Sequence, residues 1–127
     1  MTTVNRPDQH TEPVVVTISG CAKEDAHAVF EFLRHSYDCD RGAADRPEYV
    51  SPDHPTVWTA TFDAASARPP SGPVSLATPV EAEMQGGYWA VDRMTETLTT
   101  AFRVERQGTA AGDQEKDVQL RLLSRAA

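Results

Sequence analysis

Between Val14 and Tyr37 the apolar residues change period, from a continuous β-branched run to the three-and-four spacing of a helix. That switch commits the chain to a strand followed at once by a helix packed on it. Val14-Val15-Val16-Thr17-Ile18 carries apolar residues at both parities, the pattern of a central strand buried on one face and partly covered on the other. Ser19-Gly20 closes it. Ala26, Val29, Phe30, Leu33 and Tyr37 then fall on one face of a helix predicted over 22–37. Glu24 and Asp25 in its first turn, and Arg34 and His35 in its last, complement the helix dipole. Ser19 offers better capping chemistry than Cys21.

Residues 38–55 hold three prolines and read as a long loop. Over 56–64 the pattern alternates. Trp58, Ala60 and Phe62 point one way, and Val57, Thr59, Thr61 and Asp63 the other. A proline-rich turn leads to a second alternating strand over 80–84, with Val80, Ala82 and Met84 inward and Glu81 and Glu83 outward. Gly86-Gly87 is expected to break this strand. A second helix is predicted over 88–104 on the stripe Val91, Met94, Leu98, Ala101 and Phe102, then a loop over 107–115. Val118, Leu120 and Leu122 alternate with Gln119 and Arg121 in a last strand. The order β-α-β-β-α-β is that of the ferredoxin-like two-layer α+β sandwich. It implies a four-stranded antiparallel sheet of order 4-1-3-2 with two helices on one face. Residues 14–125 are expected to form this single domain, and residues 1–13, polar and without apolar period, a disordered or loosely packed tail.

Composition narrows the function classes. A chain of 127 residues, 39% of them apolar, suffices for one core. Its net charge of -7 argues against nucleic acid and against an anionic membrane surface, since both demand clustered Lys and Arg. No run approaches the roughly 18 apolar residues of a membrane helix, and the N-terminus shows no secretory h-region. A cytoplasmic protein is expected. Arginine far outnumbers lysine, present only as Lys23 and Lys116, which with abundant Ala and Thr suggests a high-GC bacterial source. Cys21 and Cys39 flank the first predicted helix about 25 Å apart, too far for a disulfide, and are expected as reduced thiols.

Four groups of residues merit inspection for chemistry. The sheet face away from the helices would present Val15, Thr17, Thr59, Thr61, Glu81, Glu83 and Arg121, joined by Gln119 and Leu123. It holds no aromatic platform for bases. It could be solvated, meet a partner, or hold a small pocket with Glu81 or Glu83 as acid or base. These two carboxylates, about 7 Å apart on one strand face, would couple weakly. Gly86, Gly87 and Tyr88 open the second helix, where freed amides could cradle an anion or ligand, although no phosphate-loop motif is present. His27, Glu31 and His35 lie at i, i+4 and i+8, so adjacent members could share a metal ion, although the whole line, about 12 Å long, cannot bind one. Cys21, beside a helix N-terminus, is expected to have a lowered pKa, but no partner histidine can be named.

No catalytic serine motif occurs, and no cofactor is expected. The residues favour a non-catalytic interaction or regulatory module. Its partner would be itself, as a homodimer through the open sheet face or an edge strand, or another protein. The alternative is a small ligand-binding protein or cofactor-free enzyme of dimeric α+β-barrel type. Its pocket would lie between sheet and helices, lined by Trp58, Tyr88, Trp89 and His35.

Overall fold

A computed structural model describes residues 11–39, 49–51, 54–70 and 72–125. The elements are β1 (Pro13–Ser19), α1 (Lys23–Ser36), β2 (Asp38–Cys39), β3 (Tyr49–Ser51), β4 (His54–Asp63), a 3₁₀ turn (Ala64–Ser66), β5 (Val80–Gly87), α2 (Tyr88–Thr99), β6 (Phe102–Ala111) and β7 (Glu115–Ser124). All strand pairings are antiparallel. The sheet runs β2-β4-β1-β5-β7-β6, with β3 also paired to β4. Because β2 meets the end of β4 and β3 meets its start, these two short strands share one edge position, so seven strands fill six places.

This corrects the expected fold. The molecule is mixed α+β, but its sheet is not four-stranded and not ferredoxin-like. The strands starting at Pro13 and Val80 are the central neighbours, but their flanks are exchanged: β4 pairs β1, and β7 pairs β5. The cause lies in the segment after α1. Asp38 pairs with Asp63, Tyr49 with Val57, and Val57 with Ser19. The chain therefore leaves α1 at the start of β1, and both β2 and β3 lie on the far edge of β4. It enters β4 beside the end of β1, antiparallel to it. A hairpin between β6 and β7 makes the equivalent return after α2. Each half of the chain thus runs from a central strand through a helix to the sheet edge and back, by β2, β3 and β4 in the first half and by β6 and β7 in the second, and the halves meet where β1 pairs β5.

The missed strand is β6. Ala101 and Phe102 continue the stripe of α2, but the helix ends at Thr99. There the hydroxyls of Thr99 and Thr100 donate to the carbonyls of Glu96 and Thr97 (2.5 and 2.7 Å), competing with the backbone ladder. Phe102 then enters a ten-residue edge strand with a register shift between Arg106 and Gly108. Gly86 and Gly87 do not break β5 either, and neither has a positive φ. At Gly86 a Cβ would lie 2.6 Å from the Pro13 carbonyl oxygen, so glycine is needed there for close approach to β1.

One core joins the layers. Val14, Val16 and Ile18 of β1, Met84 of β5 and Leu120 of β7 are buried with Leu33 of α1 and Leu98 of α2. Phe32 meets Phe102 edge-on with centroids 5.5 Å apart. A strap over residues 67–79 ties both helices down. Arg68 donates from its backbone to Ser36, and from its guanidinium to the carbonyls of His35 and Arg34 and to Asp38. These bonds satisfy carbonyls that the end of α1 leaves free. Val74 donates to Ala101 (3.2 Å), and the buried Asp25 accepts from the amides of Ala77 and Thr78 and from the Thr78 hydroxyl. Among the described residues no helix is long and apolar enough to cross a membrane.

Candidate functional site

The strand register arranges the uncovered sheet face in rows. Thr61, Val15, Gln85, Asp117 and Ala110 lie across from one another on β4, β1, β5, β7 and β6. The next row is Thr59, Thr17, Glu83, Gln119 and Gly108, and the third is Val57, Ser19, Glu81, Arg121 and Glu105. All seven residues expected on this face share it: Val15, Thr17, Thr59, Thr61, Glu81, Glu83 and Arg121. Alternation dictates the result, because the opposite parity of each central strand enters the core.

Between the rows lies a depression of about 190 Å³ bordered by Thr17, Ser19, Glu81, Glu83 and Gln119. Its electrostatics are acidic. Arg121, directly opposite Glu81, approaches it at 3.8 Å and offsets that charge. Among the described residues Glu83 has no such cation. Its carboxyl shares a hydrogen bond with that of Asp117, its diagonal neighbour. That bond, reinforced by burial and by the Asp117 charge, raises the Glu83 pKa above the ordinary carboxylate value. Two carboxylates this close repel each other, and a hydrogen-bond donor or a cation placed between them relieves that repulsion. Sequence reasoning coupled Glu83 weakly to Glu81, its neighbour along the strand, and began the last strand too late to include Asp117. The signal was available: Asp117 has the parity of Gln119 and Arg121.

Other candidate residues are dispersed. His27, Glu31 and His35 are exposed on α1, and Glu31 is taken by Arg34 at 2.8 Å. Among the described residues no group of three His, Cys, Asp or Glu side chains is placed to hold a metal ion. Gly86 and Gly87 belong to β5 rather than to a loop. Tyr88 donates its hydroxyl to the Gly112 carbonyl and lies under Lys116, whose Nζ is 5.8 Å from the ring centroid. Tyr88 therefore fastens the β6–β7 hairpin to α2. The pocket drawn from Trp58, Tyr88, Trp89 and His35 does not assemble: Trp58 is in the core, and the other three are exposed. Cys21 departs from expectation in sign. Burial, then the neighbouring Asp25 charge, push its thiol up to about 11, so it is protonated at neutral pH.

Comparison with known proteins finds no match to this chain among family models, curated proteins or solved structures.

Proposed function

We propose that this chain is a non-catalytic binding module whose working surface is the uncovered sheet face. The central depression receives a small ligand through a cationic or hydrogen-bond-donating group. The observation that carries this reading is the Glu83–Asp117 pair beside a concave, carboxylate-bordered hollow. A bound ammonium or amidinium group supplies the positive charge that Glu83 lacks and favours its ionised form.

Self-association is the second reading, favoured by Val15 and Val57, which stand 38% and 36% exposed on the same face. Two separated valines among charged rows supply little apolar area for a permanent dimer. The β6 edge is guarded by Arg103, Glu105 and a bulge, devices that discourage strand pairing between molecules.

Titration calorimetry with benzamidine and its neutral analogue benzamide tests the ligand reading. Benzamidine is expected to bind, benzamide is not, and Glu83→Gln is expected to weaken benzamidine by about tenfold. Affinity should fall as pH drops through the raised Glu83 pKa. Equal binding of both compounds would sink the proposal.

A further inference from the structure

A second hollow lies on the helix side, remote from the sheet face. It measures about 400 Å³ and is bounded by the start of the strap (Ala67, Arg68, Pro69 and Pro70), by Tyr37 after α1, and by Arg93, Glu96, Thr97 and Thr100 of α2 and its end. Its cations differ in their bonding. Arg68 is held by Asp38 and by backbone carbonyls. Arg93 has no carboxylate within ion-pair distance among the described residues; its guanidinium lies 5.4 Å from the ring centroid of Trp89, which is 53% exposed. A planar cation stacked on an indole is oriented without spending its hydrogen-bond donors, all of which remain for a ligand. The hydroxyls of the wall are spent within the protein, which leaves the anion to Arg93. Thr97 donates to the Arg93 carbonyl (3.1 Å), so the Tyr37 hydroxyl, 2.5 Å from Thr97, is the donor in that pair. Pro69, Pro70 and Ala67 give the opposite side an apolar surface that needs no polar partner.

We infer that this groove binds a small organic anion, with its carboxylate or phosphate on Arg93 and its apolar body against Pro69 and Pro70. Arg68 adds positive potential from a fixed position. Glu96, one turn beyond Arg93 on α2, opposes the anion and limits the affinity. The two α2 side chains therefore act with opposite sign, which a purely structural role for either would not produce.

Calorimetric titrations of the whole chain with benzoate, phenyl phosphate and inorganic phosphate test the inference. Benzoate and phenyl phosphate are expected to saturate at millimolar concentration, and inorganic phosphate to bind more weakly for want of an apolar body. Arg93→Gln should weaken both organic anions about tenfold, and Glu96→Gln should tighten them about threefold. Both substitutions are on the exposed side of α2, and circular dichroism checks that each variant is folded. Arg103→Gln, on the sheet face, and Glu83→Gln should leave anion binding unchanged, which separates this site from the sheet-face depression. The inference is overturned if neither organic anion saturates, if Arg93→Gln binds them as tightly as the parent chain, or if inorganic phosphate binds as well as phenyl phosphate.

Discussion

Asp25 shows how one residue can look like helix decoration in sequence and be a structural anchor in the fold. In the first turn of α1 a carboxylate complements the helix dipole. In the structure it is buried and accepts three hydrogen bonds from Ala77 and Thr78. The Ala77 amide foremost, with the Thr78 donors against the cost of burial, holds its pKa below the ordinary Asp value. A depressed carboxyl pKa contributes stability that is fully present above the unfolded value, near 3.9, and is lost as pH falls through the folded value. Asp25→Ala is therefore expected to cost about 2 kcal/mol at pH 7, measured by urea unfolding. The gap from the parent chain should narrow as pH is lowered below about 4. A pH-independent gap would contradict this account. No sequence pattern discloses the partners, which lie more than fifty positions away.

At the scale of elements, periodicity was informative wherever one pattern had a single reading. The α1 stripe and the alternation of β4 and β5 are present in the structure, whereas the second face of β1, expected to be partly covered, is open, with Val15 38% exposed. The β6 segment failed because Ala101 and Phe102 satisfy the helix stripe and also begin a strand. From Gln107 on, its small and polar residues resemble a loop. An edge strand lacks one row of partners, and a strand with one solvated edge needs few apolar residues. The proline-rich segment failed in another way: it is a strap bonded to α1, not merely a turn. Arg68 supplies the bonds that end α1, so Arg68→Ala should fray the last turn. Amide exchange at residues 34–37 is expected to speed up, while exchange in β5 stays unchanged. Uniform acceleration across the molecule would mean that Arg68 acts globally instead.

At the scale of the whole molecule, two halves, each a central strand, a helix and the strands that follow it, share one core and leave one sheet face open. That face carries one large charge cluster and two separated exposed valines, so the chain is expected to be a monomer at micromolar concentration. Light scattering checks this. A dimer that Val15→Asp converts to a monomer would transfer the function to self-association.

By itself the sequence determined which residues face inward and which share the open face, because side-chain direction follows local periods of two and 3.6. It determined the acidic balance and the central role of β1. Only the tertiary structure decided that β4 lies beside β1, that Glu83 meets Asp117 rather than Glu81, and that Arg93 stands over a groove with no carboxylate partner among the described residues. Those relations depend on where a connecting segment returns the chain, and on diagonal neighbours across strands. Neither has a local period to betray it.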